Sequence, residues 1–137
     1  NIYDLSTKDG RIYKIMVGIK VFKDYPVIGS GFGTFGDSAS LIINPIDFYE
    51  KYDLEDNFYS DNQYLTIIVE CGILGTVLMA AFVISLIIKY RKNILKLTVV
   101  FCIMILCLFY NTLEVQIAMF MFYLFLCLPE KENVNEK

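Results

Sequence analysis

The sequence predicts an all-α integral membrane protein, with C-terminal transmembrane helices preceded by an external loop region that carries an amphipathic helix. Three observations predict it. The chain has 137 residues and is 56% hydrophobic, above the roughly 45–50% of globular domains, and the excess lies in the second half. Cys71 to Ile88 is a run of 18 residues without one charged side chain, about 27 Å long as a helix. Residues 1–63, by contrast, carry six positive and ten negative side chains. A chain this short cannot wrap such a helix on all sides in a soluble core, so the bilayer is its expected solvent. The first residue is Asn rather than Met, and the chain is expected to be the C-terminal part of a longer protein.

Residues 1–63 read as the external region. Ile12, Ile15, Met16, Ile19 and Phe22 recur at spacings of three and four, which predicts a helix over about 11–23. That apolar stripe is its expected packing or membrane-facing side, with Lys14, Lys20 and Lys23 on other faces. Asp24-Tyr25-Pro26 stops the helix, because the residue before proline is pushed out of helical geometry. Next come Gly29, Gly31, Gly33 and Gly36. The formal G-x-G-x-x-G lacks the preceding strand and following helix of a dinucleotide site. It reads as a tight turn that brings backbone close to something, whose amides could face an anion. Residues 37–60 are expected to be an irregular acidic loop. Its Phe48, Tyr49, Tyr52, Phe58 and Tyr59 have two readings: rings that stack on sugars, or rings at the membrane interface.

The expected membrane part is residues 64–128, as three helices of about 64–88, 94–111 and 113–128. A rival layout has two spans and the last apolar run at the interface. Lys89, Arg91, Lys92 and Lys96 form the dense basic cluster near a helix end, which places that end in the cytoplasm. Residues 1–63 and the Asn111–Gln116 turn then lie outside, and the tail 129–137 inside. Lys96 is expected to snorkel. Glu70, about two turns into the first span, and Glu114, in the outer turn, are costly at membrane depth and expected to face a cavity or a partner; the other reading of Glu70 is a solvated residue at headgroup depth.

The composition also excludes. The sequence contains no His, which removes His-based triads, His metal sites and an imidazole base. No metal or cofactor is expected. Cys71, Cys102, Cys107 and Cys127 fall in the apolar runs, show no metal spacing, and read as small packing residues. The net charge of -3 does not suit a nucleic-acid partner.

Three stretches, taken in order, resemble the O-antigen ligase and O-antigen polymerase family of polytopic bacterial membrane proteins. Gly10-Arg11 opens a helix. Asp24-Tyr25-Pro26-Val27-Ile28-Gly29-Ser30-Gly31-Phe32-Gly33-Thr34-Phe35 is similar to the family's D-x-P-hydrophobic-hydrophobic-G-x-G-x-x-x-F block. Asp61-Asn62-Gln63-Tyr64-Leu65, followed by Glu70, Gly72 and Gly75, is similar to its H-N-x-x-L…E-x-G-x-x-G start of a membrane helix. The resemblance implies a multi-pass protein of the cytoplasmic membrane and a glycosyltransferase that needs neither nucleotide sugar nor metal. Its substrate is an oligosaccharide linked through pyrophosphate to a polyprenyl lipid. Arg11 matches an arginine that binds or neutralises the pyrophosphate. Asp61 stands where ligases of the family carry histidine near the acceptor, which favours a polymerase of surface-polysaccharide repeat units (O-antigen, capsule or exopolysaccharide) over a ligase. A non-catalytic flippase-type transporter of the same lipid-linked saccharide is the alternative from another class. Asp61 is expected to serve or orient the acceptor, Asn62 to hold sugar or backbone, and Glu70 to make a polar contact in the cavity. Gly29, Gly31 and Gly33 are expected to shape the substrate loop. A chain-length regulator and a flippase are the expected protein partners.

Overall fold

Six α-helices and one 3-10 turn make up the described residues of the computed structural model, which are 10–43, 45–55 and 58–129; no strand occurs among them. The helices are α1 (Arg11–Asp24), α2 (Ser38–Ile43), α3 (Ile46–Tyr52), α4 (Gln63–Tyr90), α5 (Ile94–Leu106) and α6 (Gln116–Cys127), with the 3-10 turn at Thr112–Glu114. The first nine residues of the expected external region, and residues 130–137 of the expected tail, lie outside the described residues.

The helix over 11–23 is present as α1, but it packs on a different face. Lys14, Val17, Gly18 and Val21 are buried, while Ile12, Ile15, Met16 and Ile19 are each about half exposed. The reason is steric. A Cβ at Gly18 would lie 2.7 Å from Cδ1 of Leu65, so the helix can approach α4 this closely only through its small residues. The bulkier isoleucine stripe is left outside.

Residues 37–60 are also more ordered than an acidic loop. Residues 38–43 and 46–52 form α2 and α3, and the rings of α3 build a core together with Phe35 and Phe58. Val17, Val21, Phe35, Tyr49, Tyr52, Leu54, Phe58 and Val69 form one buried cluster. Phe35 meets Phe58 edge to face at 5.1 Å, and Phe48 lies 4.8 Å from Tyr52, both within the range of favourable ring pairs. Of the five rings read as sugar-stacking or interfacial, Tyr49, Tyr52 and Phe58 are buried and Phe48 packs against them. The fourteen residues of α1 and the start of α4 supply the apolar wall these rings needed, while Glu50, Asp53 and Glu55 stay exposed.

The long apolar helix α4 is not continuous. At Gly72 the backbone leaves helical geometry (φ 62°, ψ −161°). A break orphans carbonyls before it and amides after it, and the segment 26–31 supplies the partners. Ser30 and Gly31 donate their amides to the carbonyls of Val69 and Glu70 at 2.9 and 3.0 Å. Ile73 and Leu74 donate theirs to the carbonyls of Pro26 and Val27 at 2.9 and 3.1 Å. The approach depends on two glycines. A Cβ at Gly72 would sit 2.5 Å from the Gly29 nitrogen, and one at Gly29 would collide with the carbonyl of Glu70.

Beyond the break, α4 packs on α5 and α6 through Tyr90, Val100, Phe122 and Leu126. Among the described residues α4 is the one helix long and apolar enough to cross a membrane. The spans expected at 94–111 and 113–128 contain helices of 13 and 12 residues, about 20 and 18 Å by helical rise and short of a hydrocarbon core of about 30 Å. Lys96 does not snorkel. It is buried, donates to the carbonyls of Leu126 and Leu128 at 2.9 and 2.7 Å, and so closes the C-terminal end of α6, where a cation is favoured.

Gly29→Ala should lower the melting temperature of the detergent-purified protein sharply, by roughly 2–4 kcal/mol of stability, since it combines a positive φ with a backbone clash. Gly31→Ala, at φ 105° but with nothing nearer than 3.9 Å to the new methyl, should cost clearly less. Equal losses in thermal unfolding would show that the close approach at Gly29 does not matter.

Candidate functional site

Of the charged side chains singled out by sequence, Arg11 lies where α1 begins and Asp61 just before α4 begins. Arg11 and Lys14 are three residues apart on α1, hence neighbours on one side of the helix. Lys14 Nζ bonds Asp61 Oδ2 at 2.5 Å; the Lys14 side chain is 10% exposed and that of Asp61 41%. Asp61 holds a left-handed backbone (φ 51°), rare for a residue with a Cβ and costing on the order of 1 kcal/mol or more. The Arg11 guanidinium lies 5.5 Å from the centre of the Phe109 ring, inside cation–π range. Two cations, one half-exposed carboxylate and one ring therefore share a single place.

Asn62 ties this place together. Its side-chain oxygen accepts from the Leu65 amide at 3.0 Å, the N-cap of α4, and its side-chain nitrogen donates to the Leu108 carbonyl at 3.2 Å. An asparagine at this position satisfies one of the orphan amides of a helix start. Gln63 and Tyr64 continue the seam: the Gln63 amide donates to the Cys107 carbonyl at 3.0 Å, and the Tyr64 hydroxyl to the Met104 carbonyl at 2.8 Å. The end of α5 is thus held against the start of α4, which is what brings Phe109 to Arg11.

Gly29, Gly31, Gly33 and Glu70 form a second, separate group. Glu70 is buried, and its Oε1 accepts from the amides of Thr34 and Phe35 at 2.9 and 2.8 Å. The amides of the turn, read from sequence as able to face an anionic ligand, are here taken up by a side chain of the protein itself, the Glu70 carboxyl. Gly29, Gly31, Gly33 and Gly36 all have positive φ, the backbone habit that lets amides converge on one acceptor. Glu114, expected to seek a partner, accepts from the Ser38 amide and hydroxyl at 2.7 Å and from the Tyr59 hydroxyl at 3.2 Å. These contacts hold the outer turn against α2. No cluster of three or more His, Cys, Asp or Glu that could hold a metal occurs among the described residues.

Asp24, the aspartate of the D-x-P block, lies at the far end of α1. It accepts from the Tyr52 hydroxyl at 2.5 Å and pairs with Lys51 at 3.1 Å. The Tyr52 hydrogen bond, with Lys51 beside it, holds the Asp24 carboxyl below its ordinary range. This pair fastens α3 to α1.

Two residues of the charged place escaped the reading of the sequence. Lys14 was read only as lying off the isoleucine stripe. Its signal was the series Lys14, Val17, Gly18, Val21, spaced three, four and seven along a helix and competing with the isoleucine stripe. Phe109 carried no signal, since one ring in an apolar run looks like any other.

The family model described as O-antigen ligase matches residues 3–80, more than half of the chain. Neither the curated proteins nor the solved structures give a significant match.

Two outcomes follow from this geometry. Glu70→Ala should leave the Thr34 and Phe35 amides without an acceptor, at about 1–3 kcal/mol, and should raise the proteolytic cleavage rate of the 31–37 turn; Glu70→Gln, which keeps an acceptor oxygen, should do so less. A depressed carboxyl stabilises the fold above its unfolded pKa and loses that contribution as pH falls through its folded pKa. The stability gap between wild type and Tyr52→Phe should therefore narrow on acidification, as read by unfolding midpoints across the acid range.

Proposed function

Because the chain belongs to the O-antigen ligase family, we propose that it is the C-terminal part of a membrane glycosyltransferase that polymerises polyprenyl-pyrophosphate-linked oligosaccharide repeat units into a surface polysaccharide, at the outer face of the cytoplasmic membrane. Members of the family are membrane enzymes of glycosyltransferase type that work on lipid-linked saccharides. The observation that carries the reading is the Lys14–Asp61 ion pair, with Arg11 one helical turn before Lys14 on α1, at the head of a helix fit to cross the bilayer.

The chemistry that suits this arrangement is a displacement at an anomeric carbon. An acceptor hydroxyl forms the new C–O bond, its proton passes to the Asp61 carboxylate, and the bond to the lipid pyrophosphate breaks with its electron pair leaving on phosphate. Negative charge grows on the leaving oxygen, so a guanidinium fixed there stabilises the transition state more than the ground state. Arg11, steadied by Phe109 and exposed at the start of α1, is the side chain suited to that task, since its planar fork matches phosphate oxygens. Asn62 serves by holding the backbone next to Asp61.

The runner-up is a ligase that passes finished polysaccharide to an acceptor, and the description of the matched family model favours it. Asp61, in place of the histidine expected of ligases by resemblance, supports the polymerase. Deleting the gene and sizing the lipid-linked and surface saccharides separates them. Single repeat units accumulating outside, with long chains lost, support polymerisation; long chains stranded on the lipid carrier support ligation. In the same assay Arg11→Ala should reduce turnover by roughly a hundredfold, the scale of losing one transition-state donor. Chains of normal length at normal membrane abundance would overturn the assignment of Arg11.

A further inference from the structure

Lys14 is in the wrong kind of place for an ordinary surface lysine. It occupies the packed stripe of α1 with Val17, Gly18 and Val21 and is 8% exposed. Taking an ammonium out of water is expensive, and an apolar side chain of similar length at this position would avoid that cost. Its compensation among the described residues is the bond from Nζ to Oδ2 of Asp61. The other carboxylate oxygen, Oδ1, has no hydrogen-bond partner among the described residues, although the side chain is 41% exposed. Asp61 itself sits in a left-handed backbone beside Asn62, which is held as the helix cap. The lysine thus selects one oxygen to be held and one to be left open.

Granted the proposed transfer reaction, on which this rests, we propose that Lys14 is the positioning residue of Asp61. It holds Oδ2 so that Oδ1 is presented to the acceptor hydroxyl, and its charge cancels that of Asp61 beside an anionic donor. Without it, the carboxylate would repel the pyrophosphate that Arg11 has to hold, and could swing onto the Arg11 guanidinium, three residues from Lys14 on α1. Lys14 touches neither donor nor acceptor; it acts through Asp61. During transfer the acceptor O–H bond breaks toward Oδ1 and the pair Lys14–Oδ2 persists, so no proton moves through the lysine.

The test uses the full protein in its native membranes, with the cell's own lipid-linked repeat units as donor, and compares Lys14→Met, Lys14→Arg, Asp61→Asn and Lys14→Met/Asp61→Asn, each checked for membrane abundance. Lys14→Met should lower turnover at saturating donor by about tenfold or more. Lys14→Arg should restore much of it. The double variant should be no slower than Asp61→Asn alone, because residues that act as one unit are not additive. A merely structural lysine would lower abundance and leave turnover per molecule unchanged, and Lys14→Arg would not selectively rescue it. Normal turnover in Lys14→Met, or effects of the two substitutions that multiply, would overturn the proposal while leaving the proposed function intact. Normal turnover in Asp61→Asn would instead remove the function of Asp61, and this inference with it.

Discussion

Everything in this chain hangs on the repair of one broken helix. Backbone amides and carbonyls at the edge of a bilayer must find partners within the protein, because hydrocarbon offers none. At Gly72 α4 loses its own, and four hydrogen bonds from segment 26–31 replace them. The exchange works in both directions: carbonyls before the break accept from Ser30 and Gly31, and amides after it donate to Pro26 and Val27. The break and the loop therefore require each other. Gly29 and Gly72, at positive φ and in each other's way for any larger residue, are two halves of one joint.

That joint sets the height and orientation of the rest. Pro26 directly follows the end of α1, so fastening 26–31 to α4 fixes where α1 ends. Gly18 against Leu65 then fixes how close α1 lies, and the Lys14–Asp61 pair fixes its far end. Glu70 performs the matching task one residue pair before the break, gathering the amides of Thr34 and Phe35. A carboxylate that looks in sequence like a ligand for substrate is used to hold a loop. At the start of α1 the Lys14–Asp61 pair also serves the architecture, but it leaves the exposed Arg11 guanidinium and one oxygen of Asp61 beside it.

Much of this was legible in the sequence, and the failures share a cause. The helix near 11–23, the apolar run at 71–88 and the turn-forming glycines each announce themselves locally, through spacing, hydropathy or residue type. What stayed hidden depends on a partner far along the chain. The isoleucine stripe of α1 is the stronger periodic signal, yet the smaller stripe packs, because Leu65 must come close. Phe48, Tyr49, Tyr52 and Phe58 look like surface rings in an acidic loop until α1 and α4 supply a wall for them. The break at Gly72 is invisible because glycine inside an apolar run is usually tolerated in a helix. Its meaning appears only when Gly29, forty-three residues earlier, is set against it. Arg11 and Asp61 could be named from their motifs, but that Lys14 joins them could not.

The joint also explains where irregular backbone occurs in the second half. Below it, Ile73 to Tyr90 is unbroken helix, about 27 Å by rise, and α5 and α6 pack against it as short helices. Tyr90, Lys96 and the last carbonyls of α6 meet at the lower end. Above it stand the first nine residues of α4, and it is to these that the irregular stretch 107–115 is fastened, through Gln63 to Cys107 and Leu113 and through Asn62 to Leu108. Non-helical backbone is tolerated near a bilayer only where protein or water covers it. The fold meets that demand by keeping its turns beside the first segment of α4, at the level of the core it shares with α1 and α3. The same arrangement puts Phe109 under Arg11, so the strand of backbone that could not be helical became the wall of the charged site.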